Sequence, residues 1–252
     1  MNKIFLVGLL LLMLMVASIK AQQKRGQDVI LQWGSTDVRY PRNEVPAWQG
    51  SKQWETCAWK GERVNAQAVL RAGRPLKGVR IAVGDLKCGK NVIPASAVTV
   101  SFVGYVWTDE LNKDRKSGCG DRPNKADWDS SLVADVLEVR KSLDIEAQCT
   151  QPLWVNIWVP QDIPDGVYKG ALTVTGENFA DMRLPMKINV QKRTLPVPAR
   201  WAFHLDLWQN PYAVARYYNV PLWSRQHFDK MKPLMQRLAN AGQKVITASV
   251  MH

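Results

Sequence analysis

His204, Asp206 and Trp208, in the stretch FHLDLWQN, are the residues of this chain whose types and spacing best suit binding chemistry. They alternate with Phe203, Leu205 and Leu207, so an extended backbone puts the polar set on one face and the apolar set on the other. A carboxylate at 206 can accept hydrogen bonds from a ligand's donors, and an indole at 208 can stack on a flat apolar ligand face. His204, further back on that face, reads as a buried structural residue rather than a ligand. The competing reading is a partly exposed strand of a small α/β domain, with Asp206 merely solvated.

No complete catalytic set accompanies them. His204, His227 and His252 are the only histidines, and none has a partner at HExxH-type spacing. No GxSxG nucleophile elbow and no phosphate loop is present. Asp109 and Glu110 are an adjacent acidic pair ahead of a charged stretch and read as solvated surface. Cys57, Cys88, Cys119 and Cys149 contain no CxxC pair, which argues against zinc. An even cysteine count in an exported protein favours disulfides, with three pairings open. At least one is expected, with Cys119 stapling its loop to the β domain. No metal and no cofactor is expected.

The elements that must position Asp206 and Trp208 lie between Trp201 and His252, a stretch that reads strand, loop, helix, strand. Ser224 suits a helix N-cap, and Phe228, Met231, Leu234, Met235 and Leu238 recur at helical spacing. Pro233 inside that pattern predicts a kink or a break, and Gly242 a stop. Val245 to Val250 is the second strand. A β-α-β opening suits the first unit of a (β/α)8 barrel, where residues near a strand's C-terminal end floor the site. A doubly wound sheet is the alternative, but no glycine-rich loop follows the first strand.

Upstream, Asp28 to Trp33, Arg63 to Arg71, Val79 to Val83, Val98 to Val106, Leu153 to Val159, Val167 to Thr175 and Arg183 to Val190 read as strands between turn signals. No helical stretch of note interrupts them, which predicts a β-sandwich. Gly34 to Ser51 is a loop, and Thr108 to Asp135 a long irregular one. Trp48, Trp54 and Trp59 could form a sugar platform, although such tryptophans more often plug the end of a sandwich. The expected architecture is mostly β: an N-terminal β-sandwich followed by the truncated first βαβ unit of a (β/α)8 barrel. Its parts are a signal peptide over 1–21, the sandwich over 22–191, a Pro-containing linker over 192–200, and the barrel start over 201–252.

Lys3, an apolar run and Ala21 make the first 21 residues a secretory signal. That run is too short for a standard transmembrane helix, and no cysteine near the cleavage site offers a lipid anchor. The expected location is periplasmic or extracellular, with no stable membrane anchor. Removing Lys3 and Lys20 from the formal charge of +12 leaves +10. The basic residues are scattered, with no nucleic-acid motif, so nucleic acid is not an expected partner.

The strings FHLDLWQNPYAVARYYNVPLWS and LANAGQKVITASV resemble the start of the catalytic barrel of glycoside hydrolase family 123. WKGERVNAQAVL and VPQDIPDGVYKGALTV resemble that family's N-terminal β-sandwich. The family contains bacterial β-N-acetylgalactosaminidases. The resemblance implies a glycan substrate and a substrate-assisted mechanism, in which the sugar's 2-acetamido carbonyl attacks its own anomeric carbon. The family's Asp-Glu pair lies further along the barrel, so no catalytic residue is expected in this chain, and these 252 residues alone are expected to be inactive. The alternative is a secreted β-sandwich carbohydrate-binding or scaffold module.

Overall fold

The computed structural model describes residues 29–48, 51–108 and 130–249. The chain divides into two compact units, Met1–Arg193 and Thr194–His252. The signal-peptide segment, Asp109, Glu110 and Cys119 lie outside the described residues.

The first unit is built of strands β1 (Val29–Gly34), β2 (Trp54–Lys60), β3 (Arg63–Ala72), β4 (Leu76–Val83), β5 (Leu86–Cys88), β6 (Asn91–Ile93), β7 (Val98–Thr108), β8 (Ser131–Glu138), β9 (Leu143–Ile145), β10 (Cys149–Trp158), β11 (Gly166–Thr175) and β12 (Met182–Thr194). One sheet has the order β1-β3-β10-β7-β8. The other has β2-β12-β11-β4-β9, with the β5–β6 hairpin attached to β11. Alternating residues of both sheets, among them Leu70, Leu153 and Ile157 from one and Leu172, Met186 and Ile188 from the other, meet in a single core. Strand β12 continues to Thr194, so 192–194, read as linker, is the end of a strand.

Strand β3 is buried on both faces from Ala66 to Ala72. Its inner face supplies Ala66, Ala68 and Leu70 to the core. Its outer face is covered by the loop 35–48. Gln67 Nε2 donates to Ser35 O (2.6 Å) and Val38 O (3.0 Å). Arg71 Nη1 donates to Gln148 O (2.6 Å), and Nη2 to Gln148 Oε1 (3.0 Å). Thr150 Oγ1 donates to Glu44 O (2.7 Å), and Tyr105 Oη to Tyr40 O (3.0 Å) and Thr150 O (2.8 Å). Burial pushes the Tyr105 hydroxyl well above the usual tyrosine range. Gly34 lies so close beneath this loop that a Cβ there would stand 2.5 Å from Tyr40 Oη and 2.8 Å from Val69 Cγ2.

The tryptophans favour the plug reading. Trp33 is buried, donates from Nε1 to Pro185 O (2.9 Å) and packs 6.1 Å from Trp54, which itself lies against the core. Trp59 lies elsewhere, under the Arg193 guanidinium. The disulfide expectation is corrected for three cysteines: Cys57 is exposed, Cys88 half-buried and Cys149 buried, and all three are free. Cys149 sits in the β3–β10 ladder opposite Ala72, a position that suits a small apolar residue.

At the β4–β9 edge the register shifts between Leu76 and Val79. Asp144 on β9 fills the irregularity, accepting from the Gly78 amide (2.8 Å) and the Lys77 ammonium (2.8 Å). The Gly78 bond first, then the Lys77 bond, hold its carboxyl below the usual range. A carboxyl with a lowered folded pKa stabilises the fold above its unfolded pKa, and that stabilisation fades as pH falls through the folded value. Asp144→Asn is therefore expected to lower Tm at pH 7, with the deficit shrinking below about pH 4. Thermal melts of both proteins across pH 3–7 check this; a constant deficit would contradict it.

The second unit opens with a 3-10 turn, Pro198–Arg200, and holds helices α1 (Pro211–Tyr218) and α2 (Arg225–Asn240). Two expectations are corrected here. Trp201 to Gln209 and Val245 to Val250 form no regular strands among the described residues; they meet at one parallel bridge, Gln209 to Ala248. A lone pair of short extended segments has too few ladder bonds to be held as a sheet. The segment read as loop contains α1: the Asn210 side chain caps Ala213 N (3.1 Å), Pro211 occupies the first turn, and Asn219 closes the helix in the left-handed region.

Helix α2 starts where expected, with Ser224 Oγ accepting from His227 N (3.2 Å). It runs through Pro233 as one helix. Pro233 is exposed, so the carbonyl that it deprives of a donor can be hydrated. The helix ends on Gly242, φ +101°, with Gly242 N bonded to Ala239 O and Gln243 N to Leu238 O, a Schellman closure.

Candidate functional site

The bridge fixes which residues share a face. Gln209 stands beside Ala248, and Gln209 N donates to Thr247 O (2.7 Å). Asp206 of the 206–209 segment and Thr247 of its neighbour lie against each other. The contact is direct, since Thr247 Oγ1 donates to Asp206 Oδ2 at 2.9 Å. Asp206 is half-buried, and its Oδ1 is buried with no hydrogen-bond partner among the described residues. Trp208 is 83% exposed.

The opposite side is apolar. Gln209, Ile246 and Ala248 face a cavity of about 280 Å³ walled by Val214, Phe228, Met231, Leu234 and Met235 of the two helices. One side therefore carries a carboxylate and a hydroxyl, and the other faces the helices. Phe203 and Leu207, two residues of the apolar face expected for this segment, are 56% and 43% exposed, and Phe203 stacks on Trp201. His204, expected to be buried, is exposed. Here the alternation inferred for a full strand fails, because residues 201–208 have no ladder among the described residues to enforce it.

Two residues with structural roles at this site were not legible in sequence. Gln243 is buried; its Nε2 donates to Leu207 O (3.1 Å) and Val245 O (2.7 Å), while its Oε1 is buried without a partner among the described residues. His227 is fully buried between the helices. Its Nε2 lies 2.9 Å from Pro211 O, and its Nδ1 accepts from Trp223 N at 3.0 Å. A carbonyl only accepts, so the ring proton sits on Nε2. Thr247 carried a faint signal, the alternation within VITASV.

Among the described residues no group of three or more His, Cys, Asp or Glu side chains is placed to hold a metal. Among them, too, no helix is long and apolar enough to cross a membrane.

Comparisons with known proteins fall separately on the two units. A family model described as the glycoside hydrolase 123 N-terminal domain matches residues 33–176, within the two-sheet unit. One described as the glycoside hydrolase 123 catalytic domain matches residues 208–252, in the helical unit. The chain belongs to glycoside hydrolase family 123.

A solved family 123 glycoside hydrolase from Clostridium perfringens, studied for glycolipid glycan hydrolysis, is similar in fold at 21% identity and a TM-score of 0.76. The alignment covers 89% of this chain but only 38% of that one, so this chain spans well under half of that enzyme's length. A PapD-like domain of human CEP192 is matched at 11% identity over 67% of this chain and 87% of its own, with a TM-score of 0.30. No curated protein matches the chain.

Proposed function

We propose that the full-length protein is an exported glycoside hydrolase acting on N-acetylhexosamine-containing glycans, with residues 201–252 opening a (β/α)8 catalytic barrel. The observation that carries this reading is the match of residues 208–252 to the family's catalytic domain, joined to the Asp206–Thr247 contact and the exposed indole of Trp208 two residues on. The relative from Clostridium perfringens hydrolyses glycolipid glycans, which makes such glycans the first substrates to try. The leader-like residues 1–21 support export.

In the proposed reaction the acetamido carbonyl oxygen forms a bond to the anomeric carbon as the glycosidic bond breaks. A carboxylic acid gives its proton to the leaving oxygen, and water then opens the cyclic intermediate. This departs from the usual scheme with a carboxylate nucleophile. The catalytic carboxylates belong to the barrel beyond residue 252. Asp206 and Trp208 bind substrate and do no proton transfer: the carboxylate accepts from sugar hydroxyls, and the indole stacks on a pyranose face.

The test is kinetics on full-length protein with an aryl β-N-acetylgalactosaminide. Asp206→Ala and Trp208→Ala are each expected to lower kcat/KM by at least about tenfold, roughly 1.4 kcal/mol, without lowering Tm. If both stay within about twofold, the assignment of this segment to the pocket is wrong. Activity on the matching 2-hydroxy glycoside equal to that on the 2-acetamido one would overturn the substrate-assisted mechanism.

A further inference from the structure

A carboxylate whose two oxygens are treated differently has a direction. Asp206 Oδ2 is held by the Thr247 hydroxyl at 2.9 Å, which fixes the carboxylate's rotation. Oδ1 is left as a buried acceptor with no partner among the described residues. An acceptor withdrawn from water without a donor costs about 1–3 kcal/mol, so such an atom is kept where a donor arrives. Gln243 reinforces the arrangement. By donating to the carbonyls of Leu207 and Val245 it joins the backbone between Asp206 and Trp208 to the segment that carries Thr247. The spacing of the two segments, and hence the Thr247–Asp206 contact, is set by a buried side chain.

We propose that Thr247 is a positioning residue that aims Asp206 Oδ1 at a hydrogen-bond donor of the bound glycan, a hydroxyl or the acetamido N–H. This rests on the reading of the 206–208 segment as pocket. Thr247 touches no substrate; it acts through Asp206. The contact is made equally by bound substrate and transition state, so its loss falls on KM more than on kcat.

The test uses full-length protein and an aryl β-N-acetylgalactosaminide. Thr247→Val removes the hydroxyl at nearly constant volume and is expected to raise KM about fivefold to tenfold, with kcat within about twofold. Thr247→Ser, which keeps the donor, should restore KM. In an Asp206→Ala background Thr247→Val should add nothing further, because the pair acts as a unit. Asp206→Asn retains the shape if Thr247→Val folds poorly. With the Thr247 hydroxyl still bound to the amide oxygen, an NH2 donor replaces the open acceptor, and KM should rise as far as in Asp206→Ala.

If Asp206→Ala impairs the enzyme while Thr247→Val does not, the positioning role is overturned and the pocket reading stands. An additive loss in the double variant, or no rescue by serine, also overturns it. If neither Asp206→Ala nor Asp206→Asn changes KM, Asp206 meets no donor of the substrate and the positioning role is overturned; the pocket reading falls only if Trp208→Ala is silent as well.

Discussion

Arg71→Met is expected to lower the stability of the two-sheet unit by about 3 kcal/mol, the cost of deleting charge-assisted hydrogen bonds of about 1.5–3 kcal/mol each at a buried site. Arg71 is 7% exposed yet has no carboxylate partner in the contacts described. Its guanidinium is neutralised by dipoles instead: Gln148 O, Gln148 Oε1 and Thr150 Oγ1, with Glu44 O at 3.5 Å. Methionine preserves the stem's packing but leaves the Gln148 carbonyl, on a residue with φ +57°, without that donor. Lysine can reach one of the Gln148 acceptors but not both in a fork, so Arg71→Lys should fall between. For a unit of this size 3 kcal/mol corresponds to roughly 6–12 °C in Tm. The loop 35–48, clamped on β3 through this residue and Gln67, should also become easier to cut by protease. A loss under about 0.5 kcal/mol in denaturant titration, with unchanged proteolysis, would contradict the role given to Arg71.

The second large effect is expected at His227. Replacing it with leucine removes a donor to Pro211 O and an acceptor for Trp223 N. Both partners sit at helix starts, Pro211 at the first position of α1 and Trp223 just before the α2 cap. Trp223 has φ +59°, a backbone state that needs support in a bulky residue. Two broken bonds at a fully buried ring predict a loss of about 2–4 kcal/mol for His227→Leu. Glutamine keeps one donor and one acceptor and should recover about half of that. Hydrogen exchange over residues 211–240 in the full-length protein reads the effect locally; equal protection in wild type and His227→Leu would refute it.

Much of the first unit was legible in the sequence because its strands obey a strict period of two against one core. Arg63 to Arg71 and Val167 to Thr175 fall inside β3 and β11, and all of Leu153 to Val159 but Val159 falls inside β10. The short strands β5, β6 and β9 were not, since three residues carry no period, and neither were β2 and β8: residues 131–135 of the stretch expected to be an irregular loop belong to β8. The buried outer face of β3 was illegible for another reason: Gln67, Val69 and Arg71 look like a solvent face until a loop is known to cover them. In the second unit the caps at Ser224 and Gly242 were readable as local chemistry. The Asn210-Pro211 start carries the same kind of signal, but the strand-like alternation that ends just before it masks it. Asp206 and Trp208 could be picked out by type and spacing. Their tie to Thr247 could not, because it depends on how two distant segments align.

The central ladder of the first unit carries a kinetic consequence. Strand β3 pairs with β10 from Arg63 opposite Trp158 to Ala72 opposite Cys149. The middle of the sheet thus joins segments far apart in the chain, and closing so long a loop must come before any of its contacts form. Domains dominated by such pairings fold in milliseconds to seconds rather than microseconds. During synthesis β1 and β3 emerge early and can pair as neighbours, but the sheet cannot close until Trp158 has left the ribosome. Until then β3 presents an unsatisfied edge, and a chain in that state remains open to chaperone capture and to pairing with another chain.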